Sequence, residues 1–186
     1  MVERFQQRKK DVLSKLDKSS KGSWDKRVLE LCQKINSLEN YYTTSSCSGR
    51  IMIMQDKEKK GKGLFNFVSH DLVELKDLEV ALKNFSQGCL KFKQEPFILH
   101  VVCKDLKSAE KALGFGQTAG FKRSCILSLG KNLLLEICGT EKIEFPIIED
   151  GKLLVSRNFL EIVLNKSNEN LEKGWKRIEA LKKEFK

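Results

Sequence analysis

No uninterrupted apolar run in this 186-residue sequence approaches the roughly 20 residues that a membrane-spanning helix needs. The opening residues, MVERFQQRKKD, carry basic side chains with no apolar segment behind them, so a secretory leader is not expected. Histidine is scarce, with only His70 and His100, and the six cysteines form no CxxC pair. Too few clustered ligands remain for a structural zinc site, and a chain without structural metal is expected. Four of the cysteines sit in strand-like runs beside Val, Ile or Leu, where reduced thiols fill core space. A reducing, cytoplasmic setting is therefore expected. Neither GxGxxG nor a Walker loop is present, and HExxH and GxSxG are also missing. Their absence sets aside several common enzyme classes.

Basic charge is abundant. Lys and Arg number 35 against 25 Asp and Glu, a formal charge of +10, which draws polyanions across a Debye length of about 8–10 Å. A nucleic acid is the natural candidate partner. Hydrophobic residues make up 40% and charged residues 32%, the balance of a folded chain rather than a disordered one. The length fits one domain over residues 1–186.

The periodicity predicts helices over residues 3–16 and from a Ser23 cap through Trp24, Val28, Leu31, Cys32, Ile35 and Leu38. Strands are predicted from Tyr41 into a polar turn, from Arg50 to Met54, and over residues 64–68, 89–93 and 97–103. A helix over residues 77–85 separates the third and fourth of these strands, and Asp105 is placed to cap another running to about Gly114. Residues 121–129, 133–138 and 143–145 read as strands. A long helix begins at Ser156, with NKSNEN (165–170) as a possible interruption. Strands outnumber helices and hairpins join many of them. The expected class is α+β with a mostly antiparallel or mixed sheet.

Within YYTTSSCSGRIMI (41–53), residues 43–48 are small and polar and lead to Gly49 and Arg50. Such a cluster packs nothing and hydrogen-bonds readily, which suits either a site or a polar hairpin turn. Arg50 suits a carboxylate or phosphate. Cys47 lacks any visible activating base and is not expected to act as a nucleophile. His70 ends a strand between Ser69 and Asp71. His100, inside PFILHVV, alternates with Ile98 and Val102 on one face, opposite Phe97, Leu99 and Val101; it suits a structural role or proton transfer. Asp25 adjoins a basic stretch, Glu95 precedes Pro96 at a strand end, and Lys122 and Arg123 sit together in AGFKRS.

Six segments together resemble the wybutosine-synthesis protein 3 family of archaea and eukaryotes. They are LDKSSKGSWD (16–25), YYTTSSCSGRI (41–51), VSHD (68–71), LKFKQEPFILHVVC (90–103), AGFKRS (119–124) and LNKSNENLEKGWKRI (164–178). The resemblance implies an α+β fold that is not the doubly wound methyltransferase fold, S-adenosylmethionine as cofactor and phenylalanine tRNA as partner, with methylation of N4 of the tricyclic guanosine derivative at position 37 of its anticodon loop. It further implies a shared polar set: Asp25, His70 and His100 as candidate catalytic groups, and Ser45, Ser46, Ser48 and Arg50 as candidate cofactor ligands. Phe65 stands where the family often has Trp, which keeps an aromatic face but loses an N–H donor. Two other readings are a non-catalytic RNA-binding module and a protein-interaction adaptor built on the apolar face of the last helix around Trp175.

Overall fold

In the computed structural model, residues 2–15, 25–57, 63–83, 88–130 and 132–186 are described. The expected Ser23 cap, Trp24 and the lysine-rich stretch 58–62 lie outside them. The elements are α1 (Val2–Leu13), α2 (Lys26–Ser37), β1 (Tyr41–Cys47), β2 (Arg50–Gln55), β3 (Phe65–Ser69), α3 (Leu75–Lys83), β4 (Leu90–Glu95) and β5 (Ile98–Cys103). After these come α4 (Leu106–Thr118), β6 (Cys125–Ser128), β7 (Leu133–Cys138), β8 (Ile143–Glu149), β9 (Lys152–Leu153) and α5 (Arg157–Glu184). Every strand pairing among the described residues is antiparallel, so the α+β expectation holds and the fold is not doubly wound.

The strands form two sheets, ordered β1-β5-β7-β6 and β3-β2-β4-β8-β9. The chain divides accordingly into two compact units. The first comprises Met1–Ser48, Phe97–Thr140 and Gly174–Lys186, and the second Gly49–Pro96 and Glu141–Lys173.

In the first unit, alternation along β5 and β7 sends Leu99, Val101, Leu135 and Ile137 to one face. There they join Val28, Leu31 and Ile35 of α2, Ala109 and Ala112 of α4, and Ile178, Leu181 and Phe185 near the chain's end. Phe97 packs on Phe121, and Phe185 meets both Tyr41 and Phe115 edge-on. Asp105 caps α4 by accepting a hydrogen bond from Ser108 N, as its position predicts. On the opposite sheet face, Phe5 of α1 covers Tyr42.

In the second unit, Leu90, Phe92 and Gln94 of β4 are buried, while Lys91, Lys93 and Glu95 alternate with them on the other face. NKSNEN does not interrupt α5. Ser167 Oγ donates to Val163 O within the helix, Asn168 both accepts from Val73 N and donates to Val73 O, and Asn170 donates to Gln94 Oε1. Each amide therefore ties the helix to a neighbouring segment of the unit.

The polar stretch after Tyr41 is mostly strand rather than turn. β1 runs through Cys47 with an irregularity between Thr43 and Ser45, leaving only Ser48 and Gly49 as connection. Nor is it a hairpin: β1 pairs with β5, whereas β2 pairs with β3 and β4. Small hydroxylated residues read as loop formers, but here cross-strand hydrogen bonding to β5 satisfies the backbone and the extended form wins. Among the described residues no helix is long and apolar enough to cross a membrane.

Candidate active site

A strand sends successive side chains to opposite faces, and this separates the three serines. Ser46 lies opposite Leu99, on the helix-covered face, while Thr43 of the same strand exchanges hydrogen bonds with Asn36 of α2. Burial dominates at Cys32 and pushes its thiol up. Ser45 lies opposite His100 on the other face. Ser48, past the strand end, is buried. Ser45 and Ser46 therefore face opposite sides of the sheet.

Asp25 organises the end of this strand. As N-cap of α2 it accepts from Arg27 N through Oδ1 at 3.1 Å, and through Oδ2 it accepts from Ser48 N at 2.8 Å. One carboxylate thus fixes both the first turn of α2 and the connection after β1. The Ser48 hydroxyl, held by that contact, is buried with no hydrogen-bond partner among the described residues. An unsatisfied buried hydroxyl costs about 1–3 kcal/mol, so it marks a place where an external polar group would be favoured.

Across the exposed side of the same sheet runs a polar row. Register places Ser45, His100, Glu136 and Cys125 side by side on β1, β5, β7 and β6. His100 Nε2 and Glu136 Oε2 are 2.9 Å apart. Such a carboxylate fixes the imidazole's orientation and tautomer. Sequence reasoning missed Glu136; its signal was a lone carboxylate inside the apolar run LLLEIC. Burial, with Glu136 and Cys125 nearby, pushes the Cys138 thiol up to about 11.

In the second unit Arg50 and Glu95 are direct cross-strand partners. Arg50 donates to Glu95 Oε2 from Nε at 2.9 Å and from Nη2 at 2.7 Å, while Lys93 Nζ is 3.1 Å from Oε1. Burial alone would raise the Glu95 pKa, but hydrogen bonding and charge from Arg50, then Lys93, outweigh it and hold the carboxyl below its usual range. The Arg50 guanidinium carbon also lies 5.8 Å from the centroid of Phe65, a half-exposed ring. His70 follows Ser69, which pairs with Ile51, and so ends β3 beside the start of β2. Arg50, Glu95 and His70 occupy one end of this sheet. Glu95 is the member whose role the sequence under-read: it is Arg50's anchor.

Gly49 explains the close quarters before Arg50. Its φ is +101°, and a Cβ there would meet Leu171 Cδ2 at 2.9 Å and Glu95 O at 3.1 Å. Only glycine suits that conformation and that approach.

The chain matches the family Methyltransferase TYW3 over residues 7–186. It belongs to that family. It is accordingly an enzyme, a methyltransferase. A relative from Methanocaldococcus jannaschii, tRNA(Phe) 7-((3-amino-3-carboxypropyl)-4-demethylwyosine(37)-N(4))-methyltransferase, is 37% identical over 96% of this chain and 99% of its own. The human tRNA wybutosine-synthesizing protein 3 homolog is 36% identical over 94% of this chain and 70% of its own. A solved structure of the PH1069 protein from Pyrococcus horikoshii superposes with a TM-score of 0.88 at 34% identity, covering 98% of this chain and 94% of that one. A protein from Aeropyrum pernix shares the fold, with a TM-score of 0.72 at 23% identity. The two antiparallel sheets are not the doubly wound parallel sheet on which the glycine-rich loops of dinucleotide-type domains are built.

Proposed function

We propose that this TYW3 protein methylates N4 of the tricyclic wybutosine precursor at position 37 of phenylalanine tRNA, with S-adenosylmethionine as donor. The observation that carries the reading is the match to the M. jannaschii relative of that name along almost the full length of both chains. The basic charge of +10 agrees with a tRNA partner.

The donor set fits such a cofactor in two respects. Ser48 Oγ is a buried hydroxyl awaiting a polar partner, and Arg50, with Nε and Nη2 turned to Glu95, keeps Nη1 for a carboxylate. S-adenosylmethionine supplies an electrophilic methyl carbon on a sulfonium, so no protein nucleophile is needed. What the protein contributes is alignment of the attacking nitrogen and exclusion of water.

We assign Ser48 to a polar group of the cofactor and Arg50 to a carboxylate, either the cofactor's or that of the base's aminocarboxypropyl chain. Asp25 and His70 are assigned to receiving the proton released as the nitrogen is alkylated. Asp25 has committed one lone pair on each oxygen to a backbone N–H and retains others. His100 acts with Glu136 and Ser45 on its own sheet face. Ser46, opposite Leu99 on the helix-covered face, stays a candidate cofactor ligand.

The test is incubation with radiolabelled S-adenosylmethionine and phenylalanine tRNA carrying the unmethylated precursor. Label on the base establishes reaction and substrate together, and folded protein that transfers none overturns the reading. Arg50→Ala is expected to lower kcat/KM by at least tenfold. Unchanged transfer with undiminished binding of both ligands would remove Arg50 from the site.

A further inference from the structure

The net charge of this protein is not spread over the chain. Residues of the first unit include 21 Lys and Arg against 11 Asp and Glu; those of the second include 14 against 14, together the 35 and 25 of the whole sequence. All ten excess positive charges therefore belong to one unit.

Side-chain pairing sharpens the contrast. On the polar face of the second unit's sheet, cations are matched to carboxylates: Lys91 with Asp56 and Glu144, Lys93 with Glu95 and Glu144, Lys142 with Glu144, and Arg50 with Glu95. In the first unit one end differs. The Arg27 guanidinium lies 3.5 Å above the Trp175 ring and seats the first turn of α2 on α5. Two residues along α5, the Arg177 side chain lies against the Gly120 turn, where a Cβ would come within 3.2 Å of its Nε. These contacts bring the segments that carry Lys26, Lys122 and Arg123 to the part of α5 that carries Lys176. All four are exposed, and none forms an ion pair among the described residues.

We infer that this end of the first unit is a docking surface for the tRNA sugar–phosphate backbone, with Lys122, Arg123 and Lys176 as its phosphate contacts. The inference rests on the reading of tRNA as substrate and adds where it is held. Unpaired exposed cations release counterions from RNA when they bind; cations already matched to carboxylates gain little. Arg123, at a turn fixed by Gly120 and Phe121, presents a planar fork suited to phosphate.

Two triple variants with equal loss of charge test it: K122A/R123A/K176A in the first unit and K57A/K83A/K152A, likewise exposed, in the second. Binding of a fluorescein-labelled, unmodified phenylalanine-tRNA anticodon stem–loop is followed by anisotropy across a salt series, with thermal unfolding as a check on folding. The first variant is expected to bind about 20- to 100-fold more weakly near 0.15 M salt, with the log K against log salt slope reduced by about 2–3. The second is expected to stay within about threefold of wild type with its slope unchanged. Equal losses in the two variants, no loss in the first, or no RNA binding by the wild type would overturn the assignment. Methyl transfer to the precursor tRNA is measured in parallel. Binding confined to the first unit without any transfer would overturn the catalytic reading alone, and transfer with equally affected variants would overturn this one alone.

Discussion

Glu95 receives both of Arg50's hydrogen bonds on one oxygen and Lys93 on the other, so its charged form is favoured by folding. A carboxyl whose folded pKa is depressed contributes stability above its unfolded pKa and loses it as pH falls through the folded value. The reference value is 4.5, so the contribution is complete at neutral pH and fades below that. Glu95→Gln is expected to lower stability at pH 7 by about 1–2 kcal/mol, with the gap from wild type closing as pH drops through the depressed folded value. Denaturant titrations at a series of pH values measure it, and a gap constant with pH would exclude the ion pair as its source. Thiols give a second residue-level outcome. Burial pushes Cys103 up to about 12 and Cys138 up to about 11, whereas Cys125 is exposed. Timed iodoacetamide labelling at pH 7.5 with peptide mapping should find Cys125 modified well before Cys103 and Cys138.

Among elements, those with strong periodicity were legible from sequence: α2 by its apolar stripe, α4 by Asp105, and β5 by alternation around His100. The segment over residues 43–48 was not, because its side chains favour turns while its backbone is claimed by β5, a partner more than 50 residues away. For the same reason the sequence could show Arg50 and Glu95 as polar strand-end residues but not their pairing, which only register supplies. His100 was placed on the right face, yet Glu136 came from a strand whose pairing was unknown. The connection between β1 and β2 is where local and distant demands meet, and Gly49 carries both. Gly49→Ala forces an unfavourable positive φ and sets a methyl against Glu95 O. A loss of about 1–3 kcal/mol is expected, read as a lower denaturant midpoint with an unchanged slope. An alanine variant as stable as wild type would mean that the turn relaxes at no cost.

At the scale of the whole molecule, neither unit is a continuous piece of sequence. The chain changes unit after Ser48, Pro96, Thr140 and Lys173. The last 13 residues, Gly174–Lys186, thus return to a core begun by α2 and β1, to which they bring Ile178, Leu181 and Phe185. Phe185 is fully buried and touches rings of two other elements, with centroids 5.5 Å from Tyr41 and 5.1 Å from Phe115. Replacing it with alanine leaves a cavity bounded by a strand and a helix that are both fixed elsewhere, so collapse around it is limited. The expected cost is about 3–5 kcal/mol, a large share of the roughly 5–15 kcal/mol that holds a typical domain together. Removing residues 174–186 deletes two further core side chains, Ile178 and Leu181, and also the Lys182 pairing to Glu30 of α2. A chain ending at Lys173 is therefore expected to lose its cooperative thermal transition and its near-ultraviolet circular dichroism. Phe185→Leu, which keeps most of the volume, should retain both with a smaller drop in midpoint. If the truncated chain melted cooperatively at the wild-type temperature, the first unit's core would have to be complete without its carboxyl-terminal segment, and the assignment of that segment to it would fail.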